Sequence, residues 1–320
     1  MNKIFKYSTI ALATILMGCT PQPMPVFPAN PNISESTTEY SKIKDDINSM
    51  LMVFYGKPIN ILIDAIENKT KEQVELPNDI SSIVRTSFNN IGTYVNTIAN
   101  HNKIKDEQVY IIHGAITGYA VTEEKNSGTN GDIDIERGKI ITTASGELSG
   151  ESKIAELTIN FNPEDIKTGS YVSKASTSNK ITIYQISNST EIGFSIFGTG
   201  VGYNKTVTRT QGTHYPITIL VDLSVAVVLG KVAKFPYWLL TKGEVDNNIL
   251  NKLNDDFLDD KLPQKLYKIS YLLSLKDKSV QPTRVMTKSL KEAIRRYKIA
   301  HRMRGNLYLS QEFYRSLLRG

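Results

Sequence analysis

Only one stretch of this 320-residue chain has a residue order that dictates a chemistry, and that is Leu16-Met17-Gly18-Cys19. A small residue followed by a thiol is what thioether attachment of a diacylglyceryl group requires, and the stretch resembles a bacterial lipobox. Cys19 is the only cysteine, so no internal disulfide can form. The residues ahead of it fit the same chemistry. Lys3 and Lys6 form a short positive region, and Ile10 to Met17 is an apolar run too short to span a bilayer. The expectation is a signal peptide over residues 1–18, removed on export, and a lipid on Cys19 that holds the chain to a bilayer. Thr20 stands where an aspartate would favour inner-membrane retention, so the reading points to the outer membrane, with the main mass in the periplasm.

Other chemistry is not written in the sequence. His101, His113, His214 and His301 are scattered, with no pair at metal-ligand spacing. His113 lies in an apolar run and reads as a packing residue. Gly193-Phe194-Ser195-Ile196-Phe197 lacks the second glycine of a nucleophile elbow. Gly198-Thr199-Gly200-Val201-Gly202-Tyr203-Asn204-Lys205-Thr206 superficially suggests a phosphate loop, but Asn204 and Thr199 occupy its required glycine positions. Those glycines read instead as a tight turn. The chain is therefore expected to be no enzyme, with no cofactor and no metal.

The elements that would position any site follow from periodicity. Residues 20–32 are Pro-rich and read as an extended linker, taken as residues 19–40 with its surroundings. Thr38 to Tyr55 reads as a helix, Ile59 to Ala65 as a strand, and Ile66 to Asn78 as a polar loop. Asp79 to Ala99 reads as one amphipathic helix on the spacing of Val84, Phe88, Ile91 and Val95. Val109 to Val121, Ile154 to Asn160 and Ile181 to Ile183 read as strands, and Leu220 to Leu240 as a buried helix broken at Pro236. Alternating strands and helices predict a mixed α/β (α+β) domain over residues 41–259. Asn248 to Asp260 is polar and acidic and reads as a boundary. Beyond it, Leu262 to Leu273, Thr287 to His301 and Ser310 to Leu318 read as a small three-helix domain, residues 260–320, with Thr287 and Ser310 as N-caps. From Lys261 onward the chain carries fifteen Lys/Arg against Asp277, Glu292 and Glu312, whereas acids outnumber bases between Cys19 and Asp260. An exported basic domain argues for an anionic envelope partner, with no nucleic acid expected.

Four stretches in order resemble the curli-secretion channel (CsgG) family: Ile59 to Glu67, Tyr110 to Tyr119, Ala155 to Ile181, and Val201-Gly202-Tyr203 with the apolar helix from Val221. The resemblance implies a homo-oligomeric ring in which two β-hairpins per subunit close into a membrane barrel. The corresponding segments here are Val121 to Ser152 and Ala175 to Tyr215. In the second, Phe194, Ile196, Val201 and Tyr203 are expected to face lipid, the open alternative being a solvent-exposed hairpin. The resemblance also implies a pore constriction in the loop before the second helix, with Asp79 and Ile80 as the best correspondences and Leu76 less direct. Asp79 reads equally well as a cap of that helix.

The tail resembles the three-helix peptidoglycan-binding domain. Thr287-Lys288-Ser289-Leu290-Lys291-Glu292-Ala293-Ile294 matches its second helix, and Leu309 to Leu318 closes the unit with Leu317-Leu318. The usual Phe-Gln is Tyr297-Lys298 here, and the Asp-Gly turns are largely missing. The resemblance implies peptidoglycan as partner. Arg295, Arg296, Lys298, Arg302 and Arg304 would meet its stem-peptide carboxylates, and Tyr297 and Tyr308 would offer faces to sugars, unless Tyr297 belongs to the core. The combined expectation is an outer-membrane lipoprotein that forms an oligomeric channel for export or anchoring of secreted or surface proteins. The alternative is a structural lipoprotein that tethers an envelope assembly to peptidoglycan without a pore.

Overall fold

The computed structural model describes residues 36–70, 78–100, 108–126, 131–136, 139–144, 150–186, 191–208 and 214–320. The chain starts with α1 (Ser36–Met50), which runs on into one π-helical turn over Leu51–Tyr55. Gly56 closes that turn in the left-handed region at φ 78, and its N–H donates to the Leu51 carbonyl. Strand β1 (Ile59–Asn68) follows, then α2 (Ser81–Asn89) and β2 (Val95–Ile98). The single helix expected over residues 79–99 is thus a helix and a strand. Val84, Phe88 and Ile91 do fall on one buried face. Gly92 at φ 127 then turns the chain, and the β-branched Val95, Thr97 and Ile98 continue as a strand.

Next come β3 (Val109–Asn126), a small hairpin of β4 (Gly131–Glu136) and β5 (Lys139–Ala144), and the long β6 (Gly150–Asp165). After β7 (Ser170–Tyr171) come β8 (Thr177–Ile186), β9 (Glu191–Gly198) and β10 (Val201–Thr208). These build one sheet in the order β10-β9-β8-β6-β3-β1-β2, with β7 on the end of β6 and β4-β5 as a separate two-stranded sheet. β1 pairs in parallel with both β2 and β3, and the pairs from β3 through β6, β8 and β9 to β10 are antiparallel. The fold is mixed α+β.

The 20-residue α3 (His214–Ala233) is apolar on every side, which a helix can afford only when it is covered all round. It packs on β6, β8 and β10 and against α2, and residues 219–229 are buried without exception. Length and composition would let Pro216–Ala233 cross a membrane, but 94% of that stretch is buried inside the protein. It ends at Lys234, left-handed at φ 58, with Phe235 N–H closing on the Gly230 carbonyl at 3.1 Å.

After α4 (Trp238–Thr241) the polar stretch read as a boundary is α5 (Asn247–Asp259), which buries Ile249, Leu250, Leu253 and Phe257. Asp246 caps it by accepting from Asn248 N and Ile249 N at 3.0 and 3.2 Å. The last helices are α6 (Leu262–Ser274), α7 (Lys288–Ala300) and α8 (Gln311–Arg319), the last two capped by Thr287 and Ser310 as expected. Residues 40–320 form one compact unit. Phe257 of α5 stacks on Tyr314 of α8 at 4.0 Å, Trp238 Nε1 donates to the Leu318 carbonyl at 2.6 Å, and Tyr271 of α6 donates to the Asp46 carbonyl of α1. Apolar side chains that would be exposed on a free three-helix unit are shared with the rest of the core.

Candidate functional site

The residues singled out in the sequence fall at three places. Cys19 and Leu76 lie outside the described residues.

The first place is the sheet end that carries β3, β6 and the β8–β10 strands. β3 and β6 pair over sixteen positions, from Tyr110↔Asp165 to Asn126↔Gly150. Among the residues whose side chains are described, the last buried one on β3 is Ile116 and the corresponding one on β6 is Leu157; Tyr119 still packs against the core, and Val121 is 37% exposed. β3 continues for ten residues past Ile116, from Thr117 to Asn126, paired with β6, and β8 stays paired with β6 as far as Ser152↔Ile186.

The second expected hairpin is different. Phe194 and Ile196 are fully buried and Val201 is 5% exposed, all on the sheet face covered by α3. The expectation that these three face lipid is corrected: their strands carry the floor of the core. Tyr203 pairs with Ile196 across β9 and β10, and its side chain lies outside the described residues. The alternation of apolar and small residues was real, but it serves a core against α3. The glycines beside it are explained by close packing. A Cβ on Gly200 would meet the Tyr237 ring at 2.5 Å, and one on Gly243 would meet the Gly200 carbonyl oxygen.

The second place is the start of α2. Ile80 is fully buried, and its N–H donates to the Ile66 carbonyl at 3.1 Å, so it lines no pore in this fold. Asp79 is exposed; it bridges Glu67 and accepts from Ser81 N at 2.5 Å. That bond satisfies one of the orphan donors of the α2 N-terminus, which is the capping alternative.

The third place is the tail. Lys298 is 3% exposed. Its Nζ donates to Asn306 Oδ1 at 3.0 Å and to the Tyr308 carbonyl at 2.5 Å, and it lies over the Phe313 ring. Burial lowers its pKa, with Glu312 opposing. It is a core lysine that ties the α7–α8 turn, and it leaves the set of surface cations. Tyr297 is likewise core, stacked on His301 at 3.9 Å and edge-on to Phe313. Arg296 is held by Asp277 at 2.6 Å. Asp277 sits below the ordinary carboxylate range, first through the Ser279 hydroxyl and backbone N–H and then through Arg296. Arg295, Arg302 and Arg304 remain exposed, beside Ile299 at 67% and Tyr308 at 74% exposure.

Two polar clusters were not anticipated. His113 on β3 lies between carboxylates of neighbouring strands: Nδ1 is 2.9 Å from Asp64 Oδ2, Nε2 is 2.9 Å from Glu164 Oε2, and the Tyr171 ring stands edge-on. Asp64 is held below its ordinary pKa, first by the Ala65 N–H and next by the His113 bond. Inside, Asp222 of α3 is 4% exposed; it pairs with Lys44 at 3.1 Å and accepts from Ser87 Oγ at 2.6 Å, joining α1, α2 and α3. The sequence signal for the second cluster was a lone Asp in an otherwise apolar helix, which demands a partner. The first is assembled from three distant strands and left no local signal. Among the described residues no group of three or more His, Cys, Asp or Glu is placed to hold a metal ion. Compared with protein-family models and with curated proteins, the chain matches none.

Proposed function

We propose that this protein is an outer-membrane lipoprotein, anchored through Cys19, whose copies assemble into a ring that exports or anchors secreted or surface proteins. What supports the reading is the β3–β6 ribbon. Beyond Ile116, where pairing with β1 ends, the outer edge of β3 has no partner strand among the described residues, and a long exposed strand edge invites pairing with another chain. The ten residues from Thr117 to Asn126 also match the length of a tilted barrel strand. A hairpin alone cannot enter lipid, because its outer N–H and C=O groups would have no partner. Insertion therefore has to accompany closure between copies. In this reading one ribbon per subunit, reaching from Thr117 into β6, makes the wall, while β9 and β10 stay with the body. The exposed cations Arg295, Arg302 and Arg304 would contact peptidoglycan carboxylates from the periplasmic side.

The test is electron microscopy and single-channel recording of detergent-extracted protein, wild type and Val121→Arg. The wild type should give rings with a central hole and discrete conductance steps. Val121→Arg should give folded protein without rings, since a charge on a lipid-facing strand costs about 2–4 kcal/mol near the bilayer midplane. Monomeric wild type without conductance would overturn the pore and leave the non-pore tether, for which binding to purified sacculi is the separate measurement.

A further inference from the structure

A second site is built where the β9–β10 turn meets the chain between α4 and α5. A cavity of about 920 Å³ opens there, within the size range of small-ligand sites. The Gly198-Thr199-Gly200 turn forms one wall and the Lys242 to Asp246 segment the other, with Tyr237 and Lys231 between them. Lys231 comes from the last turn of α3 and is only 5% exposed.

The ammonium of Lys231 is short of partners. One of its three N–H donors goes to the Ser176 carbonyl at 3.0 Å, and it forms no ion pair among the described residues. The nearest acid of consequence, Asp246, is already committed. Its Oδ1 caps α5, and its Oδ2 accepts from Tyr237 OH at 3.4 Å. Lys234 adds a further positive charge close by. Glu244 and Asp246 line the same cavity as Lys231 and Lys242, but among the described residues neither carboxylate bonds the Lys231 ammonium, and a buried ammonium with two unused donors favours an anion that bonds it directly. Phe197, Val201 and Val245 give the same cavity apolar wall for the body of such a ligand.

We propose that this cavity binds a small organic anion, with its carboxylate or phosphate head on Lys231 and its apolar part against Val201 and Val245. In the unliganded protein, burial pushes the Lys231 ammonium below the usual lysine pKa; Asp246 opposes this and Lys234 adds to it. A bound anion reverses that displacement, and it draws together the β9–β10 turn and the α5 entry, which already touch through the Val201↔Lys242 bridge.

The experiment is titration calorimetry on the full chain at constant ionic strength with three probes: N-acetyl-alanyl-alanine, its C-terminal amide, and glycerol 3-phosphate. Binding of the peptide acid but not of its amide supports a carboxylate head; binding of glycerol phosphate alone supports a phosphate head. No heat from any of the three overturns the proposal. Lys231→Met should weaken the responding probe at least ten-fold; undiminished affinity in that variant places the anion elsewhere and also overturns it. Should Lys231→Met fail to fold, carbon-13 spectra of the reductively methylated wild type decide. The Lys231 resonance, assigned with Lys231→Arg, should titrate at higher pH once probe is added, and an unmoved titration leaves Lys231 a structural amine.

Discussion

The orientation of Phe194 separates a core strand from a lipid-facing one, and a single truncation measures it. Phe194 is fully buried on β9, opposite Ile183 of β8, in the core cluster that includes Ile181, Ile196 and α3. Phe194→Ala removes a ring from a site where α3 and the sheet hold their positions, so a cavity remains. Truncations of this kind cost about 3–5 kcal/mol. Against a total stability of about 5–15 kcal/mol, that is a fifth or more of what keeps the protein folded. Were the same side chain on an outward-facing hairpin, the unassembled subunit would lose less than about 0.5 kcal/mol. Urea unfolding of the unlipidated Cys19→Ala form, followed by Trp238 fluorescence, reads the difference, with Val121→Ala as the exposed control expected to be near neutral. A Phe194→Ala midpoint equal to that of the parent, together with loss of oligomer, would refute the core assignment and restore the lipid-facing one.

Other outcomes follow from the same contacts. Asp222→Asn keeps the Ser87 bond but leaves Lys44 without its buried counter-ion, and should lower stability by about 3–5 kcal/mol in denaturant titrations. Trp238→Phe strands the Leu318 carbonyl, which accepts at 2.6 Å, and should cost about 1–3 kcal/mol. A fragment of residues 260–320 should give a poorly dispersed proton spectrum, because its Tyr314 loses the stacked Phe257. Asp64 has a folded-state pKa depressed below its unfolded value, so its contribution is present above the unfolded pKa and is lost as pH falls through the folded one. His113→Ala should raise the Asp64 value measured by NMR, though only in part, since the Ala65 N–H remains.

What the sequence disclosed depended on how local the determinant was. Thr287 and Ser310 could be read as caps because the capping bond spans three residues. The break near Pro236 was legible for the same reason. Asn248 to Asp260 was misread because its polar count hid the helical spacing of Ile249, Leu253 and Phe257. Lys298 was misread because charge suggests a surface, whereas its burial depends on a turn eight to ten residues further on. His113 was expected to be satisfied by packing; its partners stand 49 and 51 residues away, beyond any window.

Phe194 and Ile196 are the instructive case, because the period was read correctly and the partner was not. A strand that alternates apolar and small residues fits a lipid-and-water wall as well as a core-and-water sheet. The tie is broken elsewhere in the chain. α3 has no polar face, so it needs apolar cover all round, and among the described elements its cover comes from β6, β8, β10, α2, α4 and the π-helical turn. Leu157, Ile159, Phe161, Ile181, Phe194, Ile196 and Val201 supply the sheet side of that cover. Committing them to the membrane would leave α3 bare on one flank. The demand of the apolar helix outranks the alternation of the strand.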